Sequence, residues 1–566
     1  MPYVVRVDMT GKRVWTESCP QDWAQLGGRA LTSTIVATEV PPGADPLGPS
    51  NRLVLAPGLL AGTALSSSGR LSVGGKSPLT AGIKEANAGG TAGHKLAQQG
   101  IKAVVVEGAA EPGECWVLVV GDEARLQPAP QLAGLGVYET LSTLRDTFGE
   151  RSAAVCIGPA GELRMRGAAV AVSDLGFRPR FAARGGLGAL MGSRGLKAVV
   201  VLDGSGDAHG GGSQEFAQLA RSFNQALLSD PKTGQVYPKY GTASIVRAVD
   251  ACGALPTNNF SRGQCEAVEE LSGERMADLI AERGGEGKTG IPCMPRCVIR
   301  CGNVFPDGRG RMLVSNLQYE TIALLGSNCG MGNLDAVARL NYLCNDLGLD
   351  TIETGAALAV VMEAGALPFG HVQEAAALIG GLARGEAAAR LVASGAAVAG
   401  AAYGVARVPV ARGQAMPGYD PRAMKGNGVT YATSPMGADH TAGNAFGSRG
   451  RVNQLLAEGQ VELSRDLQIT AMIIDTLGLC LFARPPLVAN PGLAADLLRA
   501  LYRWQVTPEE LGDLALSVLR LERGFNERAE PGVQWDRLPE YFYREALPPY
   551  GVVFDIDESA MAEVWR

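Results

Sequence analysis

Cys293, Cys297 and Cys301 fall within nine residues, in Ile291-Pro-Cys-Met-Pro-Arg-Cys-Val-Ile-Arg-Cys-Gly302, and Cys480 stands far downstream in Asp475-Thr-Leu-Gly-Leu-Cys480. Three thiolates from one short segment and a fourth from elsewhere can hold a [4Fe-4S] cube, in which each iron takes one soft sulfur ligand. Zinc is a competitor, although four-thiolate zinc sites usually show two paired Cys-x-x-Cys knuckles. Chance packing on one helix face is another, but Pro292 and Pro295 disfavour a long helix there. The Cys-x3-Cys-x3-Cys spacing also differs from the Cys-x3-Cys-x2-Cys of radical-SAM clusters.

The segment before Cys480 is echoed by Asn345-Asp-Leu-Gly-Leu-Asp350. A repeated loop of this kind suggests a protein that grips two copies of one ligand beside a cluster. Glycine loops carrying Arg, Lys, Ser or Asn recur upstream: Ser68-Gly-Arg70, Gly74-Gly-Lys-Ser-Pro-Leu-Thr80, Asn87-Ala-Gly-Gly-Thr-Ala-Gly93 and Ala182-Ala-Arg-Gly-Gly-Leu-Gly188. Backbone N–H groups with a nearby guanidinium suit phosphates. None of these loops follows the order of a dinucleotide fingerprint or a P-loop, so together they point to another large, phosphate-bearing cofactor.

The elements that must position these residues follow from composition and period. A chain of 566 residues exceeds one hydrophobic core, which predicts two to four domains. A net charge of −6 with no basic run argues against non-specific nucleic-acid binding. No secretory signal and no apolar stretch of membrane-spanning length is visible, so a cytoplasmic, soluble protein is expected. Eleven cysteines in such a chain do not read as a disulfide framework. The four histidines (His94, His209, His371, His440) leave few candidates for histidine chemistry. Val/Leu runs at 103–107, 115–120 and 197–202 predict strands. Helical period begins near Gln214 and recurs at 334–347, 354–365, 372–382, 386–404 and 493–504. The expected class is α+β: an N-terminal β-rich domain (1–208) followed by two mostly α-helical domains (209–412 and 413–566), with the cofactor between them. His209-Gly-Gly-Gly-Ser213 marks the first boundary and the looser Val408–Thr430 stretch the second.

The chain resembles the tungsten-containing aldehyde ferredoxin oxidoreductase family along essentially its whole length. The likeness rests on Ser77-Pro-Leu-Thr80, Ala182-Ala-Arg-Gly-Gly-Leu-Gly188 with Met191-Gly-Ser193, Tyr319-Glu-Thr321 and Asn328-Cys-Gly330. It continues in Cys344-Asn-Asp-Leu-Gly-Leu-Asp-Thr351, Tyr419-Asp-Pro-Arg422, Ala432-Thr-Ser434 and Asp475-Thr-Leu-Gly-Leu-Cys480. The resemblance implies a tungsten or molybdenum bis-pterin seated between a β base and two helical domains. It places Arg70, Asn87, Ala183 and Arg184 at the pterin phosphates and a bridging magnesium. Asn345, Asp346, Gly348, Leu349 and Asp350 would hold one pterin, and Asp475, Gly478 and Leu479 the other. Cys293, Cys297, Cys301 and Cys480 would ligate the [4Fe-4S] cluster. Glu320 and His440 match the acid and histidine that face the metal; on their own they read as a helix-surface ion pair and a loop cap.

Three departures stand out: an extra residue between the first two cysteines, Asn345 where the family usually has aspartate, and no Glu-x-x-His for a metal at a dimer interface. The implied reaction interconverts an aldehyde and a carboxylic acid and passes electrons to a ferredoxin or an iron–sulfur subunit. Glu320 would be the general base and His440 the donor to the carbonyl oxygen. Two rivals remain: another low-potential reduction, as in benzoyl-CoA reductase subunits, and an electron-transfer subunit that has lost the pterin. A homodimer or hetero-oligomer is possible.

Overall fold

The computed structural model describes residues 2–204 and 212–565, so positions 209–211 of the expected His209–Ser213 linker lie outside the described residues. Twelve strands precede residue 202: β1 Tyr3–Asp8, β2 Arg13–Ser18, β3 Leu53–Pro57, β4 Leu71–Lys76, β5 Ile83–Ala88, β6 Ile101–Glu107, β7 Trp116–Val120, β8 Arg125–Pro128, β9 Ala153–Cys156, β10 Val170–Ser173, β11 Pro179–Ala182 and β12 Leu196–Val201. They form two sheets, ordered β2-β1-β6-β3-β4-β5 and β8-β7-β12-β9-β10-β11.

The two sheets are the same construction made twice. In each, an antiparallel hairpin (β1–β2, β7–β8) pairs through its first strand with a parallel last strand (β6, β12), and the other neighbours are antiparallel. A helix follows each hairpin, Gly28–Glu39 in one half and Val137–Phe148 in the other. Period-2 alternation explains the layering. Val5, Val7, Val104 and Val106 face Leu118, Val120, Val199 and Val201 in a shared core. The alternate positions Val4 and Val105 pack with the first helix, and Val117 and Val119 with the second. The sheets also meet along their edge strands β5 and β11. That seam is the floor of the cleft described below. The sequence showed β structure here but not the duplication, because the halves share topology rather than wording.

From residue 214 helices dominate, so the sheet-rich-then-helical order matches the expected α+β class. Gln214–Ser229 starts behind Ser213, whose hydroxyl caps Phe216. Leu334–Leu347 lies where the helical period put it, and Thr351–Glu363 begins three residues before the expected 354–365 helix and ends two before that helix does. The expected 386–404 helix is two, Ala387–Ala393 and Ala396–Tyr403, broken at Gly395 with φ 102°. The 408–430 stretch is not uniformly loose: Lys425–Thr433 is a fully buried helix. Among the described residues no single helix is long and apolar enough to cross a membrane.

Candidate active site

Two helices end over the seam in matching loops. Leu334–Leu347 closes on Gly348 (φ 74°) and Gln460–Leu477 on Gly478 (φ 73°), the left-handed position that glycine adopts without a Cβ penalty. Each loop docks on its own half through the same two backbone bonds. Ala169 N–H donates to Gly348 O (2.8 Å) and Arg70 N–H to Gly478 O (3.1 Å). Asp350 N–H donates to Gly167 O (2.9 Å) and Cys480 N–H to Ser67 O (2.8 Å). A cavity of about 360 Å³ opens between the loops and the seam.

At one end lie the acid and the histidine. Glu320 sits in the turn Tyr319–Thr321, which runs into a π-turn at Ile322–Gly326, a distortion frequent at functional sites. Its carboxylate faces inward rather than to solvent: Oε2 accepts the Gly418 N–H at 2.7 Å, and Oε1 lies 3.5 Å from His440 Nε2. Burial raises the Glu320 proton affinity, against the opposing pull of His440 and the Gly418 N–H. Behind His440, Asp439 holds the buried Lys84 ammonium at 2.6 Å. Burial opposes ionisation of Asp439, but Lys84 and then Arg184 outweigh it and keep the carboxyl well below the usual range.

Arg184 follows β11 and donates to Ala415 O (2.5 Å) and Ala438 O (2.8 Å), with Nη1 3.6 Å from Asp350 Oδ2. Several buried atoms here have no hydrogen-bond partner: Arg184 Nε and Nη1, Asp350 Oδ2, Glu320 Oε1 and His440 Nδ1. Buried polar atoms are rarely left unpaired, so this set fits a polar, partly anionic guest. On the other half, Arg70 bonds the side chain and backbone O of Asn87, and Asn87 Nδ2 donates to Asp475 Oδ1 at 3.0 Å.

At the opposite end, Cys293, Cys301 and Cys480 line the cavity, and Cys297 lies just behind, with the Ser67 hydroxyl 3.6 Å from its sulfur. The thiols feel one another. A hydrogen bond from Cys293, set against burial, brings Cys297 down to about 6, whereas burial and then Cys480 push Cys301 up to about 12. Among the described residues no three His, Cys, Asp or Glu close on one point as a single-ion site. Arg180, tied to Asp174 at 2.8 Å, faces Cys293 and Cys301 from β11.

Of the expected residues, Arg70, Asn87, Ala183, Arg184, Asn345, Leu349, Asp350, Asp475, Glu320 and His440 line the cavity with the three cysteines. Gly348, Gly478 and Leu479 shape the loops from behind. Asp346 points away: its Oδ1 accepts the Tyr138 N–H at 3.3 Å, at the start of the Val137–Phe148 helix. Reading the sequence missed Lys84, Arg180 and Asp439. Lys84-Glu85-Ala-Asn87, a polar run inside an otherwise buried strand, was the signal available for the first.

Residues 4–203 match the family described as aldehyde ferredoxin oxidoreductase, N-terminal domain, and residues 218–563 match its domains 2 and 3. A tungsten-containing aldehyde ferredoxin oxidoreductase of Pyrococcus furiosus is 32% identical, with 96% of this chain and 91% of the relative covered. One of Thermococcus kodakarensis shows the same figures. The aliphatic sulfonate oxidoreductase, WOR-like subunit, of P. furiosus is 24% identical, over 96% of this chain and 89% of its own. Among solved structures, the active-site complex BamBC of benzoyl coenzyme A reductase with 1,5-dienoyl-CoA superposes with a TM-score of 0.80. It is 20% identical and covers 99% of this chain and 92% of its own, a likeness of fold.

Proposed function

Because the chain belongs to the aldehyde ferredoxin oxidoreductase family, we propose that its cleft interconverts an aldehyde and a carboxylic acid at a tungsten (or molybdenum) bis-pterin, with electrons leaving through a [4Fe-4S] cluster to a ferredoxin-like carrier. The balance is R–CHO + H2O → R–COOH + 2 H⁺ + 2 e⁻, with two one-electron carriers reduced. When bound, the metal–pterin supplies the two-electron exchange and the cluster relays single electrons.

The residues present fit those groups. Arg184 and Ala183 on one half, and Arg70 and Asn87 on the other, would take the pterin phosphates and their magnesium, with the unpartnered Arg184 nitrogens free for anionic oxygens. The Asn345–Asp350 loop would hold one pterin and Asp475–Leu479 the other. Cys293, Cys297, Cys301 and Cys480 would ligate the cluster.

The observation that carries the reading is the Glu320–His440 pair, 3.5 Å apart in the cavity wall. His440 donates a hydrogen bond to the substrate oxygen as negative charge develops. Glu320, its proton affinity raised by burial, takes the proton of the attacking water. A base must be ionised, so kcat rises with pH through a value above the ordinary carboxyl 4.5.

Elemental analysis of the purified protein, then an aldehyde panel with a viologen acceptor, tests this. About one tungsten or molybdenum per chain with aldehyde turnover is expected. Iron with neither metal would leave an electron-transfer subunit, and the heavy metal with thioester reduction but no aldehyde turnover would favour the benzoyl-CoA reductase rival. Glu320→Gln should keep its metals and lose about 10²–10⁴ in kcat; full activity would remove Glu320 from the mechanism.

A further inference from the structure

One concentration of charge has no place in the chemistry above. Tyr419 lines the cavity with its ring 6.3 Å from that of His440, and Phe446 stands 5.9 Å beyond Tyr419. Two cations stand over Phe446 and two more lie close by. The Arg449 guanidinium lies 3.7 Å from the ring centroid, and Lys232 Nζ lies 6.0 Å from it and 5.5 Å from the ring of Tyr237, itself in the cavity wall. Arg484 rests against Gly447, where an added Cβ would meet its Nη2 at 2.4 Å. Arg451 is close enough to repel Arg484.

Among the described residues no carboxylate forms an ion pair with this group. Asp230 is the acid that Lys232 feels, and its Oδ1 already accepts the N–H of Lys232 and the N–H and hydroxyl of Thr233, at 2.8–3.1 Å. Among the described residues Arg449 donates to the sulfur of Cys252 alone, at 3.5 Å. Lys232, Arg451 and Arg484 have no ion pair with the described residues. Burial and then Arg484 and Arg449 make Lys232 easier to deprotonate, as expected of cations held together without a counter-charge. In a chain of net charge −6 such a group is out of keeping with its surroundings. The cations come from three separated segments and lie just beyond Tyr237 and Tyr419, which line the cavity. Long-range attraction from such a rim draws in anions and fixes their orientation.

We propose that Lys232, Arg449, Arg451 and Arg484 receive the anionic end of the substrate, so that the aldehydes this cleft takes carry a carboxylate or phosphate remote from the reacting carbon. This rests on the reading of the cleft as an aldehyde site and adds the substrate class. The aldehyde end lies at Glu320 and His440, and Tyr419 in the cavity wall, with Phe446 packed behind it, stands between that end and the cations. An acidic protein carrier is the other candidate for the same charge. The small anion is favoured because Lys232 and Arg484 act on Tyr237 and Tyr419 in the cavity wall.

The test uses the metal-loaded enzyme with a viologen acceptor. A series of ω-oxo carboxylates is compared with n-alkanals of equal chain length, alongside a triple variant, Lys232→Gln/Arg449→Gln/Arg451→Gln. Wild type should prefer the oxo acids at some chain length, with the preference shrinking as salt rises. The triple variant should raise KM for the oxo acids about tenfold or more while leaving alkanal KM and kcat within about twofold. A phosphate-ended aldehyde separates a general anion receptor from a carboxylate-selective one.

Equal KM for the two classes in wild type overturns the proposal, as does a triple variant that shifts both alike. A variant that changes only the KM for a protein carrier overturns it too and assigns the rim to docking. Calorimetric binding of dicarboxylates against monocarboxylates decides the point without turnover. If no aldehyde reacts, the function above falls while the rim is still tested by that binding.

Discussion

The two halves of the sheet region share one topology and receive their loops through the same backbone bonds, yet one loop ends in Asp350 and the other in Cys480. On the Asp350 side the surroundings are protonic: Arg184, Asp439, Lys84, Glu320 and His440 crowd into contact. On the Cys480 side they are soft: the trio Cys293, Cys297 and Cys301 comes over the seam to meet it, with Arg70 and Arg180 as the near cations. A duplicated scaffold fixes where two equivalent groups sit. On the function proposed above, the last residue of each loop, Asp350 or Cys480, would set apart the side that moves protons from the side that moves electrons.

The largest break in this comparison comes from exchanging those end residues for alanine. Cys480→Ala removes one cluster ligand, and the loop should still close through its N–H bond to Ser67 O. Iron per chain should fall sharply and carrier-linked turnover by at least about a hundredfold, since no other soft ligand stands in that place. Asp350→Ala should keep its iron. It loses the cap on Ile352 N–H (2.9 Å) and strands Arg184, at a cost on the order of 1–3 kcal/mol seen as a lowered Tm. If Asp350→Ala strips iron as fully as Cys480→Ala, the division into proton and electron sides is wrong.

A smaller effect asks whether the halves are equivalent as structure. An alanine Cβ at Gly348 would meet Gly158 N at 2.8 Å, and one at Gly478 would meet Gly58 Cα at 2.7 Å. Both positions are left-handed, which costs a non-glycine residue roughly 1–2 kcal/mol before any clash. Gly348→Ala and Gly478→Ala should therefore lower Tm by similar amounts. A shift in one alone would show that only one loop bears on the fold.

Sequence reading singled out the cysteine trio and the paired loops because each is written as a local word with its own spacing, whereas Glu320 and His440 came only with the family resemblance. The duplication escaped it: matching strands share burial and register but not residues, and alternation of Val and Leu is common to all strands. Lys84 and Asp439 escaped because they meet across 355 residues of chain. The rim cations are scattered over three segments, each unremarkable in isolation. Groups that announce themselves by a motif were legible even when distant in the chain, and groups without one, such as Lys84 with Asp439, were not.

Asp346 is the case where a local word misled, and it yields the smallest prediction. It stands inside the loop pattern, and the family resemblance placed it on a pterin, but its carboxylate turns outward to the first turn of the Val137–Phe148 helix. There it accepts the Tyr138 N–H, so close to Gly136 that a Cβ on that glycine would meet its Oδ1 at 2.2 Å. In the second loop the same place is Thr476, whose hydroxyl returns to its own helix at Met472 O, 2.7 Å away, so the symmetry imposes no ligand contact there. Asp346→Ala should cost about 1 kcal/mol, as loss of a helix cap does, and leave metal loading and kcat within about twofold. Asp346→Asn keeps an acceptor oxygen and should recover most of the stability. Loss of tungsten in both variants would return Asp346 to the cofactor, and would mean that this loop grips its ligand with more of its length than its partner does.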